Sequence, residues 1–169
     1  MPMELHGERV LLRPLSAADV ARLHEIAQEP AFARWWPDLS EADLREMAQG
    51  SSDSFALAVL AGGEVIGIAL YYGEDDPEYR HAGIDLGLAT AWQGRGLGTD
   101  TLRTLARYLV RERGHHRLVI DPAADNERAI HCYEKVGFRP VGVMREYERG
   151  IDGAWRDGLL MDILSPELT

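Results

Sequence analysis

Hydrophobic positions recur along this chain at two spacings, and the changes between them mark its elements. Residues 8–12 carry Val10, Leu11 and Leu12 and run into Arg13-Pro14, which predicts a first strand ending there. Ser16, with Asp19 three residues on, opens a helix in which Val20, Leu23, Ile26 and Ala27 recur at helical spacing until Pro30 marks the stop. A second capping pair, Ser40 and Asp43, starts a short helix through Leu44 and Met47. Between the two helices, residues 32–38 read as a loop holding Trp35 and Trp36, and residues 50–54 as a polar connector. The apolar runs 55–60 and 64–71 flank Gly62-Gly63, a hairpin signal that makes them antiparallel neighbours. Residues 73–79 hold four carboxylates in a turn composition, a solvated loop that would also attract a polycation if it bordered a cleft.

The second half alternates strand and helix. Residues 81–88 read as a strand, a glycine-rich stretch follows at 93–99, and a helix runs from Leu97 to about Arg113 with Leu102, Leu105, Ala106 and Leu109 on one face. Residues 116–121 form a further short strand before Pro122, and strand, helix, strand in that order implies a right-handed crossover and a parallel pair. A helix then spans 126–136, with Asn126 near its start, Gly137 at its C-terminal cap and Ala129, Ile130 and Tyr133 on one side. Two last antiparallel strands, 138–145 and 155–164, are joined by a turn region at 150–153. The expected fold is α/β of the α+β kind, a mixed and mostly antiparallel central sheet flanked by helices, in one domain over 1–169.

Composition narrows the function classes. A formal charge of -10 argues against DNA or RNA, whose binding rests on neutralising phosphates, and suits a small cationic partner better. The most apolar runs are broken by Gly, Asp or Arg within about ten residues, and the N-terminus lacks a basic and apolar leader, so the expectation is a soluble cytoplasmic chain with no membrane partner. Cys132 is the only cysteine, which rules out an intrachain disulfide, and its expected role is a small buried hydrophobe. The histidines at 6, 24, 81, 115, 116 and 131 are scattered without ligand spacing, so no metal is expected.

The stretch Gln93-Gly94-Arg95-Gly96-Leu97-Gly98-Thr99 carries the sharpest chemical signal. It turns a strand into a helix, where glycines admit close backbone approach and unpaired N–H groups meet the positive end of the helix dipole, a corner suited to a pyrophosphate. No Lys-Ser/Thr pair follows, which excludes a P-loop, and the order is not G-x-G-x-x-G; a plain tight turn is the alternative. The loop does read Q-x-x-G-x-G. With the element order above, the chain resembles the GCN5-related N-acetyltransferase (GNAT) superfamily over nearly its full length. Asn126-x-x-Ala129 and Tyr133-Glu134-Lys135-x-Gly137-Phe138 resemble the superfamily in general, whereas the Asp121-Pro122 start of the same segment, together with Gly83-Ile84-Asp85 and Trp35-Trp36, resembles the aminoglycoside 6'-N-acetyltransferases. Residues 146–149 and 152–157 look more like the closing hairpin of ribosomal-protein and small-amine acetyltransferases of the same fold.

The resemblance implies a GNAT fold whose parallel pair splays at the acyl-CoA site, and acetyl transfer from acetyl-CoA to a primary amine. The 6'-amine of an aminoglycoside is the first candidate acceptor, a protein N-terminus or small metabolite amine the second, and a non-catalytic acyl-CoA-binding regulator the alternative of another class. Such chemistry needs a neutral amine, a polarised thioester and a proton for the departing thiolate. Asp85 and Asp121 fall at the carboxyl ends of neighbouring strands, where open α/β sheets place ligands, so Asp85 is the leading base candidate and Asp121 a substrate anchor, with the roles exchangeable. Trp35 and Trp36 either pack on the core or wall the site, and Tyr72 joins them on the substrate side. Tyr133 stands where the family places the acid that protonates the CoA sulfur, though a core aromatic would look the same. For the co-substrate, the resemblance implies a backbone N–H between Leu86 and Leu88 on the thioester carbonyl. It also implies Gln93, Gly94, Arg95, Gly96, Gly98 and Thr99 around the pyrophosphate, and Asn126 on the pantetheine arm or simply capping its helix. A homodimer is compatible with the sequence, which does not indicate the surface.

Overall fold

The computed structural model describes residues 3–50 and 53–169; Ser51 and Ser52 of the expected connector, and Met1 and Pro2 of the expected leaderless start, lie outside them. The strand expected at 8–12 is displaced. Leu5–His6 (β1) pairs antiparallel with Leu11–Pro14 (β2), and the residues between them form a turn. The cause is Asp100, whose carboxylate accepts the backbone N–H groups of Glu8, Arg9 and Val10 at 3.0, 2.8 and 3.1 Å and so withdraws them from a strand ladder.

A single 3-10 turn, Ala17–Asp19, leads into Val20–Ala27 (α1), and Asp19 accepts from Ser16 and from the Arg13 guanidinium at 2.7 and 2.9 Å. Pro30 not only follows the end of α1 but also begins a new helical turn, Pro30–Ala33 (α2), where its fixed φ and missing N–H cost nothing. Phe32, expected in a loop, is therefore helical, while Trp35 and Trp36 follow directly. Glu41–Ala48 (α3) is capped by Ser40, which accepts the Asp43 N–H at 3.0 Å. Phe55–Ala61 (β3) and Glu64–Glu74 (β4) form the expected hairpin, with Gly62 and Gly63 at φ of 58° and 81°, the left-handed pair that a two-residue turn requires.

His81–Leu88 (β5), Leu97–Arg111 (α4) and Arg117–Ile120 (β6) make the crossover unit, followed by Glu127–Val136 (α5), Arg139–Arg149 (β7) and Trp155–Leu164 (β8). The eight strands lie in the order β1-β2-β3-β4-β5-β6-β8-β7, antiparallel except for β5 and β6. β8 thus inserts beside β6 and leaves β7 at the edge. β7 also runs to Arg149 rather than to 145, past a register shift between Met144 and Glu148 at which Glu146 takes a φ of 48°.

One core cluster lies on each face of the sheet. Leu102, Leu105 and Leu109 of α4 pack with Ile84, Leu118 and Phe138 on one face, each fully buried side chain contributing about 2 kcal/mol. Leu23 and Ile26 of α1 and Leu44 of α3 cover Ala58, Ile68 and Leu70 on the other. Because Ala82, Ile84 and Leu88 of β5 belong to the α4 side, the alternate residues Gly83, Asp85 and Gly87 lie on the opposite face, where Gly87 meets Phe32 of α2. β5 and β6 are in register only at Ala82 with Leu118 and Gly83 with Val119, whereas β5 stays paired with β4 through Leu88. Beyond Gly83 the two parallel strands diverge, and the gap between them is where the site forms.

Candidate active site

Two hollows open from that gap and meet at Tyr133. The larger, a groove of about 330 Å³, runs between the end of β5 and α5, with Leu86, Leu88 and Ala129 supplying apolar walls and Gly94, Gly96, Gly98 and Thr99 its far end. Gly94 and Gly96 have φ of 74° and 78°, so the loop lies in a conformation that L side chains rarely adopt and its backbone stays bare. Gly96 is bound twice over, since a Cβ there would sit 2.7 Å from Arg9 Nη2, which itself donates to the Arg95 carbonyl at 2.6 Å. The amides of Leu97, Gly98 and Thr99 head α4 without acceptors inside the helix, an anion site by construction.

The smaller hollow, a cleft of about 240 Å³, collects Asp85, Asp121 and Glu148 beside Trp35 and Tyr133. Glycines flank Asp85 because rings lie over them: a Cβ at Gly83 would meet the Tyr72 ring at 2.0 Å, and one at Gly87 would meet Phe32 at 2.7 Å and Trp36 at 3.0 Å. Burial, then the neighbouring charges of Asp121 and Glu148, pushes the Asp85 carboxyl up to about 6. Asp121 is raised as well, by burial first, against a hydrogen bond of 2.5 Å from the Tyr147 hydroxyl that pulls the other way. Glu148 is held by Arg156 Nε at 3.1 Å. Asp85 accepts no hydrogen bond among the described residues. Tyr133 is buried, and desolvation, then Cys132, Asp85 and Asp121, hold its phenol well above the ordinary value, so it stays protonated.

A family model described as an acetyltransferase (GNAT) domain matches residues 9–139. The chain belongs to the GNAT acetyltransferases. The aminoglycoside N(6')-acetyltransferase type 1 of Klebsiella pneumoniae is 34% identical over 159 residues, covering 82% of this chain and 78% of the relative. The ribosomal protein uS5-alanine N-acetyltransferase of Escherichia coli K12 is 29% identical over 121 residues, 72% of this chain and 62% of that one. Among solved structures, AAC(6')-Ib in complex with ribostamycin and coenzyme A matches with a TM-score of 0.75 at 28% identity, covering 93% of this chain and 94% of that one. This GNAT chain is an N-acetyltransferase, and acetyl-CoA is its co-substrate.

The groove fits that co-substrate: an apolar channel for the pantetheine arm ends on bare amides for the pyrophosphate, and its inner end meets the three carboxylates. The residues expected there are found in different situations. Gln93 lines the groove but its side chain serves the loop, donating to the Leu88 carbonyl at 2.9 Å and accepting from Arg128 at 2.9 Å. Arg95 is not in the groove wall; its guanidinium lies 5.0 Å from the centre of the Trp92 ring. Asn126 borders both hollows while capping α5, accepting the Ala129 N–H at 3.3 Å. Cys132, expected as a buried hydrophobe, is only half-buried and lines the groove, its sulfur 3.3 Å from Thr99 Oγ1, because the α5 face it occupies points at the start of α4.

On the acceptor side, Trp35 and Trp36 both wall the site, but the π-faces of Trp35 are taken by Arg34 at 4.6 Å and Arg156 at 5.2 Å. Tyr72 lies over Gly83 next to Asp85 and Asp121, whose charges, after burial, raise its phenol. The acidic run at 73–79 borders neither hollow. Tyr147 and Glu148 were not expected from sequence. They enter through the β7 bulge, and only the spacing of a strand interrupted by Glu146 could have signalled it. Among the described residues no helix is long and apolar enough to cross a membrane, and no His, Cys, Asp or Glu cluster has metal-ligand geometry.

Proposed function

We propose that this enzyme acetylates a primary amine of a small polycation, with the 6'-amine of an aminoglycoside as the preferred acceptor. The observation that carries the reading is the convergence of Asp85, Asp121 and Glu148 on one cleft of about 240 Å³ that opens onto the co-substrate groove. Three carboxylates from three different strands or strand ends crowd into one hollow at a cost in like-charge repulsion, and an acceptor with several ammonium groups relieves it. The relatives named for aminoglycoside acetylation support the same choice.

The roles divide by environment. Asp121, fixed by Tyr147 at 2.5 Å, and Glu148, fixed by Arg156 at 3.1 Å, are oriented anchors for cationic groups of the acceptor. Asp85 has no such partner, and its carboxyl near 6 is mostly ionised at pH 7 while remaining a competent proton acceptor, so it takes the ammonium proton directly or through a water. Bound acetyl-CoA supplies a thioester as the electrophile. A backbone N–H in the unpaired edge of β5, between Leu86 and Leu88, polarises its carbonyl, and the Tyr133 phenol, kept protonated by burial, gives its proton to the departing sulfur.

Thiol release from acetyl-CoA, measured across kanamycin, tobramycin, spermidine, amino acids and short N-terminal peptides, tests the reading. Release with the aminoglycosides at kcat/KM well above the rest is expected. Release with peptides alone would replace the acceptor class with a protein N-terminus, and CoA binding without release from any amine would refute the catalytic roles.

A further inference from the structure

We infer that one face of α5 is a cationic wall that binds the phosphate groups of coenzyme A, through Arg128 and Lys135. Positions 128, 131, 132 and 135 follow i, i+3, i+4, i+7 and share one face of that helix, and all four line the groove. The face looks at the anion end of the groove: Arg128 Nη1 reaches Gln93 Oε1 at 2.9 Å, and Cys132 Sγ lies 3.3 Å from Thr99 Oγ1. The acidic residues of the helix, Glu127 and Glu134, do not line the groove. Neither Arg128 nor Lys135 forms an ion pair among the described residues, and both are exposed.

The motif's own cation does not compete for this role. Arg95 rests on Trp92, outside the groove wall, and Arg9 Nη2 is committed to the Arg95 carbonyl. In a chain of formal charge -10, the bare amides of the loop would otherwise meet a pyrophosphate and a ribose phosphate with little compensating side-chain charge.

The test is calorimetric titration without acceptor, of CoA and of dephospho-CoA, into the wild type and the Arg128→Ala, Lys135→Ala and Arg95→Ala variants at low and high salt. Each α5 variant should bind CoA about tenfold more weakly at low salt, and the gap should narrow as salt rises. A loss that persists with dephospho-CoA assigns the cation to the pyrophosphate; one that disappears assigns it to the ribose phosphate. Unchanged CoA affinity in both α5 variants, a loss indifferent to salt, or a larger loss in Arg95→Ala would overturn the inference.

Discussion

The groove and the cleft meet at Tyr133 yet offer a ligand opposite kinds of group. The groove's anion end is main chain, bare amides of one continuous segment from Gly94 to Thr99 in which Gly94 and Gly96 take left-handed φ, and Arg9 braces it at the Arg95 carbonyl. The cleft is side chain, with carboxylates delivered by β5, by the end of β6 and by the far hairpin. Backbone recognition tolerates sequence change as long as the glycines stay, which suits a co-substrate common to a family. Side-chain recognition changes with single substitutions, which suits an acceptor that differs among relatives.

The most severe break of that contrast is at Asp85. Asp85→Asn should lower kcat/KM for the acceptor by about 10³, within the range of lost general-base catalysis, and leave CoA affinity untouched. Steady-state kinetics beside CoA titration decides it, and a parallel loss of CoA binding would mean that groove and cleft are not separable. In the wild type, kcat/KM should climb as pH rises through about 6, where Asp85 ionises.

The same residue should register in stability. Its folded-state carboxyl titrates near 6, above its unfolded value, so the native state holds the proton longer and stability falls as pH rises from about 4 through 6. Raising the carboxyl from its ordinary value to about 6 corresponds to about 3 kcal/mol. Asp85→Asn lacks the burden and should be more stable than wild type by about 2 to 3 kcal/mol at pH 7, with the advantage vanishing near pH 4. Denaturant midpoints at the two pH values measure it, and a difference that does not depend on pH would place the Asp85 carboxylate in solvent.

Tyr133, where the two regions join, should tie them kinetically. Tyr133→Phe keeps the buried ring and removes the proton donor, so kcat should fall about 30-fold with the KM values little changed. A kcat equal to wild type would reduce Tyr133 to a packing residue.

What was legible in the sequence follows the same division. The glycine loop, its flanking strand and helix and the Gly62-Gly63 hairpin could be read because each is encoded by residues close together in the chain. The first strand was misplaced because the carboxylate that bends residues 8–10 lies on Asp100, some ninety positions away. Asp121 was legible as a strand end, directly after β6, whereas Asp85, expected at a strand end as well, lies within β5, three residues short of Leu88. Tyr147, Glu148 and Arg156 were not legible, since their meaning depends on β8 inserting beside β6 and on one bulge in β7. The motif position of Arg95 was legible, but the direction of its side chain, onto Trp92 and outside the groove wall, was not.

The mildest change sharpens the contrast most finely. Tyr147 donates to Asp121 at 2.5 Å from a strand that is mostly exposed, and that hydrogen bond is the largest influence opposing the upward pull of burial on the Asp121 carboxyl. Tyr147→Phe removes it without opening a cavity, since Tyr147 is 46% exposed. Asp121 should then hold its proton to higher pH, so the KM for a polycationic acceptor should rise about fivefold, and by more at the acid end of the range than at the alkaline end. CoA affinity and the saturated rate should stay near wild type, because neither the loop amides nor Asp85 loses a partner. KM measured for one aminoglycoside from pH 5.5 to 8 distinguishes this from a general loosening of the hairpin, which would raise KM equally at every pH.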